Sequence, residues 1–276
     1  MGNQQERLFN MTNLIEKKDK IISMYRDDKY SLRKIAKILN CSFSGVKRIL
    51  YKYDVPRRNK CESLNLCPDS FNNKEISFLT GTLLGDGSLS RYKKNGESCF
   101  YVGHSIKQKG YIEYKHILLN RWIGCNIYPL FHKLKNGKTY VTLNFCTRKS
   151  KCFTELRNIF YNKYQKIIPF GFIEKNFDEF SLAVLMMDDG YNSYERGFCF
   201  CSEGFTEKEN YKLSEFLNKK FNLKTYVRRI RKKRYNIFFK KSDKIDLFKI
   251  TKKYIIPSMS YKIKSPEANT LGAINK

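Results

Sequence analysis

Two aspartates of this chain stand at positions where carboxylates can hold metal ions. Asp86 is the next-to-last residue of the apolar stretch FLTGTLLGDG, and Asp189 has the same place in SLAVLMMDDG, 103 residues later. A carboxylate at a helix C-terminus faces the negative end of the helix dipole, and two that converge also repel each other. Cations between them relieve both costs, and Mg²⁺ prefers such oxygen ligands. The pattern predicts a Mg²⁺ site, with Mn²⁺ as a substitute, at Asp86 and Asp189, to which the carbonyls of Gly85 and Asp188 add ligands.

The two acids must be positioned by two matching repeats of about 100 residues each. After each apolar run the pattern predicts a β-rich stretch, a helix over residues 111–122 or 207–221, a hairpin and a last helix. The last helices are predicted to end alike, at Ile167-Ile168-Pro169 and Ile255-Ile256-Pro257. Asn136-Gly137 is a strong two-residue hairpin signal. Each repeat therefore predicts the order α-β-β-α-β-β-α and an α+β fold.

The charge of the chain predicts a polyanionic partner. There are 54 Lys and Arg against 26 Asp and Glu, a formal net charge of +28, and nucleic acid is the usual partner of such a surplus. The 15% of aromatic residues excludes a disordered basic tail. No apolar run approaches the ~18 residues that span a bilayer, and the nine cysteines form no CxxC pair. We expect a soluble protein with no membrane partner, in the cytoplasm of a bacterial or phage-infected cell or in an organelle matrix, not secreted.

Residues 1–58 predict a module of three short helices ahead of the repeats. The stretch SLRKIAKILNCSFSGVKRIL resembles a helix-turn-helix, in which Asn40 takes the turn and the second helix of the pair enters the major groove of DNA. The alternative is a small helical bundle with a charged face. The side chains expected to face DNA are Ser42, Ser44, Lys47 and Arg48. The remaining segments are a polar linker at 59–72 and the repeat domain at 73–276, with halves at about 73–172 and 173–265.

The apolar run that ends in Asp-Gly resembles the LAGLIDADG motif of the homing endonucleases. The resemblance extends from about residue 72 to 264 and includes the stretches HSIKQKGYIEYKHILL, FTEKENYKLSEFLNKKF and IIPSMSYKI. Two motifs in one chain look like the monomeric branch of that family. The resemblance implies a DNA-binding β-saddle formed by two pseudo-symmetric halves, and Mg²⁺-dependent double-strand cleavage at a long, asymmetric DNA site.

Further site residues are carried over from that resemblance. It implies a lysine near the end of the second hairpin of each half, here Lys149 and Lys241, which stabilises charge on the phosphate or polarises water. Ser105 and Glu203 lie near the place of a polar residue that orders water. This chain departs from the motif at Leu84 and Met187, which replace its first acid, and at Val184, which replaces a glycine. The last change predicts a wider or asymmetric helix interface.

Alternating residues of the hairpins predict the face that reads DNA. Polar residues alternate with apolar ones along the strands, and Arg and Asn suit bidentate contacts to base edges. The candidates are Lys138, Tyr140, Thr142 and Asn144 in the first half, and Arg228, Arg231, Arg234, Asn236 and Lys240 in the second. The basic run 228–234 also fits a nuclear localisation signal, but its flanks are strand-like.

Two other functions fit the same residues. One is a non-catalytic DNA-binding regulator, and the other is a group I intron RNA maturase on the same scaffold. The two intact aspartates favour the nuclease, since a pure binder gains nothing from Asp86 and Asp189.

Overall fold

The computed structural model describes residues 15–28, 30–55, 68–91, 96–193 and 197–263. The chain forms two compact units, residues 1–68 and 69–276. Most of the linker predicted at 59–72 lies outside the described residues. Among the described helices, none combines the length and the apolar character needed to cross a bilayer.

The first unit contains three helices, α1 (Lys18–Arg26), α2 (Leu32–Ile38) and α3 (Phe43–Lys52). Asn40 adopts a φ of 47° between α2 and α3, the left-handed conformation expected for the turn. The side chains of Ser31 and Ser42 cap the two helices. The core of the unit consists of Ile21, Met24, Tyr25, Ile35, Ala36, Val46, Ile49, Leu50 and Val55.

The first repeat folds in the predicted order. Its elements are α4 (Asn73–Leu84), β1 (Ser88–Arg91), β2 (Ser98–Ser105), α5 (Lys109–Leu118), β3 (Tyr128–Lys133), β4 (Thr139–Cys146) and α6 (Lys151–Phe160). The four strands form one antiparallel sheet in the order β1-β2-β4-β3. The hairpin predicted at Asn136-Gly137 is confirmed, but its loop is longer than two residues: β3 ends at Lys133, β4 begins at Thr139, and Gly137 has a φ of 80° between them.

The connection to the second repeat differs from the prediction that the last helix ends at Ile167-Ile168-Pro169. That prediction is wrong, because α6 ends at Phe160 and the chain turns through Lys163, whose φ is 55°. A small hairpin and one short helix follow: β5 (Tyr161–Asn162), β6 (Gln165–Lys166) and α7 (Phe170–Asn176). The last helix of the second repeat ends at Thr251, four residues before the matching tripeptide.

The second repeat has the same order of elements and the same sheet. They are α8 (Glu179–Asp189), β7 (Gly190–Ser193), β8 (Gly197–Phe200), α9 (Glu207–Phe221), β9 (Thr225–Arg231), β10 (Arg234–Phe239) and α10 (Lys241–Thr251), with the strands ordered β7-β8-β10-β9. Two 3₁₀ turns, Lys252–Tyr254 and Pro257–Lys262, end the described chain. The prediction of an α+β fold with two similar halves is confirmed.

Helices α4 and α8 pack against each other and bring the two halves together. Both are buried almost all round, since nine residues of each are buried. A Cβ atom on Gly81 would lie 2.4 Å from the carbonyl oxygen of Ser181 and 2.9 Å from the Cβ of Val184. One glycine therefore makes room for the larger side chain on the partner helix. The interface is asymmetric, as the replacement at Val184 predicts.

Candidate active site at the ends of the paired helices

The two aspartates lie at the same end of the helix pair but differ in how their backbones are held. Asp189 is the last residue of α8, whereas Asp86 lies two residues beyond Leu84, the last residue of α4. The side chain of Asp86 is 40% exposed, and Asp189 is partly buried. Each acid is followed by a glycine, Gly87 or Gly190, whose close contact with a backbone carbonyl of the preceding helix leaves no room for a side chain.

Both carboxyl groups have raised pKa values. Desolvation comes first and the charge of Asp188 second in raising the pKa of Asp86 to about 6. Desolvation, followed by the charges of Asp86 and Asp188, raises the pKa of Asp189 to about 8. A cation bound between the two groups would favour their ionised forms. The oxygens of two carboxylates whose ionised forms are destabilised therefore fit a hard divalent ion, which prefers oxygen ligands.

A lysine from the C-terminal part of each half contacts the backbone beside each acid. Lys166 Nζ donates hydrogen bonds to the carbonyls of Gly85 and Gly87, both at 2.8 Å. Lys262 Nζ donates to the carbonyl of Gly190 at 2.7 Å and to that of Asp188 at 3.4 Å. The predicted ligand carbonyls of Gly85 and Asp188 thus already accept one hydrogen bond each. Desolvation lowers the pKa of Lys166 from its usual value, while the three aspartates oppose that shift.

The lysines predicted from the sequence to reach the active site are Lys149 and Lys241. Lys149 is exposed, just before the start of α6, and Lys241 is the first residue of α10, with its side chain outside the described part of the structure. Lys166 and Lys262 were missed because they stand on opposite sides of the matching Ile-Ile-Pro tripeptides. An alignment anchored on those tripeptides does not bring the two lysines together.

A buried ionic network adjoins the acids and was also missed. The carboxylate of Asp188 is fully buried and accepts hydrogen bonds from Lys115 Nζ at 2.6 Å, Tyr111 Oη at 2.5 Å and Thr82 Oγ1 at 2.8 Å. Its Oδ2 also accepts from the backbone N–H of Asp86 at 3.2 Å. Burial alone would raise the pKa of Asp188, but Lys115, His104 and these hydrogen bonds bring it below its usual value.

His104 completes a group of possible ligand atoms. One ligand atom each from Asp86, His104 and Asp188 lies within 4.8 Å of the other two. The carboxylate of Asp188, however, already has an ammonium partner and three further donors, so it is a poor ligand for a second cation. Burial lowers the pKa of His104 to about 4, so its ring is neutral near pH 7. Its Nδ1 lies 3.7 Å from Asp86 Oδ2 and 3.2 Å from Gln108 Oε1.

The two residues predicted to order water have different surroundings. Ser105 is exposed at the end of β2, where its Oγ accepts a hydrogen bond of 3.4 Å from the N–H of Lys107. Glu203 Oε2 forms an ion pair of 3.1 Å with Arg234 Nη1. Glu203 thus lies beside one of the predicted DNA-binding residues.

The pairing of strands shows which predicted DNA-binding residues share a face. In the first sheet Phe100, Val102 and Phe145 point to the helices, so Tyr140, Thr142 and Asn144 lie on the opposite face. Asn144 is buried there, since its amide bonds to Tyr101 and Thr142. Lys138 is exposed, one residue before β4.

In the second sheet, Arg228 pairs with Asn236 and, past a bulge, Arg231 pairs with Arg234. The three arginines are exposed, Asn236 is buried, and Lys240 is exposed at the N-cap of α10. The two sheets therefore present different chemistry on this face: neutral polar and aromatic groups in the first half, and arginines in the second.

In the first unit, three of the four predicted DNA-binding side chains lie exposed along α3. Ser44, Lys47 and Arg48 line one groove of that helix together with Tyr51. Ser42 differs, because its Oγ accepts the N–H of Gly45 at 3.0 Å and caps the helix.

Comparison with known proteins identifies relatives of this chain. The model of the LAGLIDADG DNA endonuclease family matches residues 76–247. The cytochrome b mRNA maturase bI2 of Debaryomyces hansenii is 29% identical over 194 residues, which cover 68% of this chain and 72% of that protein. The probable intron-encoded endonuclease 1 of Wickerhamomyces canadensis is 29% identical over 193 residues, which cover 67% of this chain and 81% of that protein.

A solved structure has the same fold. It is that of the homing endonuclease I-WcaI bound to its DNA recognition sequence, which is 24% identical and gives a TM-score of 0.69 over 76% of this chain and 95% of that one.

Proposed function

Because this chain belongs to the LAGLIDADG DNA endonuclease family, we propose that it makes Mg²⁺-dependent double-strand breaks at a long, asymmetric DNA site. The observation that carries this proposal is the pair of acids with raised pKa values at the ends of α4 and α8, each beside a lysine. Each half would cut one strand. The strands with Arg228, Arg231 and Arg234 and with Tyr140 and Thr142 would contact the major groove.

The roles of the residues follow from their chemistry. Asp86 and Asp189 would hold the Mg²⁺, and when bound the ion supplies charge neutralisation at the scissile phosphate and lowers the pKa of a bound water. Lys166 and Lys262 hold the backbone of the two acid turns, residues 85–87 and 188–190, and add positive charge beside them. That charge would stabilise the extra negative charge that develops on the phosphate.

Loss of one acid tests the proposal. Duplexes from a randomised library that the wild-type protein cuts in Mg²⁺ would be recovered, and Asp86→Asn and Asp189→Asn would be assayed on them. We expect cleavage to fall by at least about 10³-fold, since a carboxylate ligand of a catalytic metal contributes several kcal/mol. Binding in a gel-shift assay should persist. A variant that cuts at the wild-type rate contradicts the proposed roles.

The two candidate lysine pairs give a matched control. Lys166→Met and Lys262→Met remove the ammonium groups beside the acids, and Lys149→Met and Lys241→Met remove those predicted from the sequence. We expect the first two variants to slow cleavage by about 10²-fold or more. If only the second two lose activity, the lysines that act are Lys149 and Lys241.

A second function, binding of intron RNA, is favoured by one observation. Relatives named as cytochrome b mRNA maturases align with two thirds or more of this chain. Affinities for the selected DNA duplex and for a structured group I intron RNA, measured side by side, distinguish the two functions. A protein that binds such RNA tightly and cuts no duplex would be a maturase, and one that binds duplex without cutting it would be a regulator.

A further inference from the structure

All the groups that hold the carboxylate of Asp188 come from the opposite half of the repeat domain. Asp188 stands on α8 of the second half, whereas its donors Lys115, Tyr111 and Thr82 and the N–H of Asp86 belong to the first. Lys115 Nζ in turn donates to Thr82 Oγ1 at 3.0 Å and lies 4.4 Å from the ring centroid of Tyr111. The side chains of Lys115 and Asp188 are both 0% exposed.

Among its described residues, the second half has no equivalent buried ion pair. The residue before Asp86 in the first motif is Gly85, where the second motif has Asp188. A Cβ atom on Gly85 would lie 2.6 Å from the Cβ of Asp188, so the glycine accommodates the acid. The buried pair four residues apart in α5 is Tyr111 and Lys115. The corresponding helix α9 has two such pairs, Asn210 with Ser214 and Leu213 with Leu217, and neither carries a charge.

Stability does not explain why such a pair is present. A buried ion pair loses about as much hydration energy as it gains from attraction, and apolar groups of similar size often replace it without loss. The backbone of the acids gives a better reason. The N–H of Asp189 lies within α8, whereas that of Asp86 lies beyond the end of α4 and has Asp188 Oδ2 as its acceptor.

We propose that Asp188 is a positioning residue for Asp86: it holds the backbone of the first-half acid turn through its N–H, while Lys115 holds the Asp188 carboxylate in place. Asp189 needs no such support. Scission of the two strands should therefore depend unequally on Asp188. The inference rests on the proposed nuclease function for its kinetic consequence but not for the hydrogen bond itself.

The test uses a double variant, Lys115→Met with Asp188→Ala, which removes the acceptor without leaving an unpaired buried charge. Ser77→Ala is the matched control, because Ser77 bonds to Asp178 and Ser181 at the other end of the same helix pair. On a selected duplex with each strand labelled, we expect the double variant to change the ratio of the two single-turnover rates by about 10-fold or more, as loss of a supporting residue does at metal sites. The control should keep the wild-type ratio. Equal slowing of both strands would overturn the proposal.

Amide hydrogen exchange of the full chain without DNA provides a readout that needs no cleavage. In the double variant the N–H of Asp86 should exchange at least about 10-fold faster than in the wild type, since it loses its acceptor, and the N–H of Asp189 should not change. Unchanged exchange at Asp86 would overturn the proposal even if cleavage were slower. A wild-type protein that cuts no duplex, with faster exchange at Asp86 in the variant, would refute the nuclease function and leave the positioning role intact.

Discussion

The two acid turns of the repeat domain occupy matching places in the fold but are built differently. In the second half α8 continues through Asp189, so the helix itself holds the acid. In the first half α4 ends at Leu84, and the backbone at Asp86 depends on a side chain from the other half. A glycine on one side and an acid on the other, Gly85 and Asp188, account for this difference. The backbone is thus pseudo-symmetric, while the charges around the two acids are not.

The sheets of the two halves also differ in the charged residues that they carry. On the face that points away from the helices, the described residues of β2, β3 and β4 include no Lys, Arg, Asp or Glu. The corresponding hairpin β9–β10 carries Arg228, Arg231 and Arg234. Neutral side chains read base edges and methyl groups, whereas arginines contact phosphates or guanine. If the two hairpins contact DNA as proposed, one half is suited to base readout and the other adds strong electrostatic attraction.

The largest effect should come from breaking the buried ion pair between Lys115 of the first half and Asp188 of the second. Lys115→Met leaves the carboxylate of Asp188 buried without its cation, which should lower the free energy of unfolding by about 3–5 kcal/mol. Leu217→Met in the corresponding helix is the control, and it should cost less than about 1.5 kcal/mol. Urea unfolding at pH 7 measures both. An equal loss in the free energy of unfolding for both variants would show that α5 and α9 contribute alike to stability, and would contradict this prediction.

The next largest effect should be on DNA binding, and it should differ between the hairpins β9–β10 and β3–β4. Alanine at Arg228, Arg231 and Arg234 together should weaken binding of a selected duplex by about 10²-fold or more and reduce the slope of log K against log salt by about 2–3, if each arginine neutralises one phosphate. Alanine at Tyr140 and Thr142 should leave the salt slope unchanged and relax sequence preference in one half-site. Fluorescence anisotropy at several salt concentrations measures these slopes. Equal slopes for the triple and the double variant would show that both halves bind DNA in the same way.

The repeat pattern of the sequence was sufficient to predict the order of elements and the acids. An apolar run that ends in Asp-Gly occurs twice, and backbone conformation at the turns is fixed locally, as at Asn40 and Gly137. These features depend on short-range preferences, so they can be read along the chain. The prediction that α6 extends to Pro169 failed because neither Gly nor Pro lies between Phe160 and Pro169, and the left-handed turn is made by Lys163.

The side chains that support the acids could not be predicted in the same way. Lys166 and Lys262 contact carbonyls far away in the sequence, and they do not align between the repeats. A lysine on a helix is ordinarily taken to face solvent, so Lys115 passed unnoticed. One signal was present: Lys115 falls one turn after Tyr111 and Ile112, on the buried stripe of α5. A charged residue at such a position implies a partner, but only the structure shows that the partner is Asp188.

The smallest effect separates the two acids by pH in the absence of metal. The pKa of Asp189 is about 8 and that of Asp86 about 6, both above the value of about 3.9 for aspartate in an unfolded chain. The folded state therefore binds more protons than the unfolded state between these values, so stability is lost as the pH rises from about 4 to 8. Asp189→Asn removes the group with the larger shift and should raise the free energy of unfolding at pH 8.5, relative to wild type, by about 1–2 kcal/mol after allowance for solvent screening. Asp86→Asn should raise the free energy of unfolding by less, and at lower pH, because the carboxyl group of Asp86 is more exposed.

Thermal unfolding in EDTA between pH 4 and 8.5 gives the stability of each variant as a function of pH, and added Mg²⁺ should reduce the loss of stability at high pH in the wild type alone. Identical pH curves for the two variants would mean that the acids have the same electrostatic surroundings, in spite of the different turns that hold them.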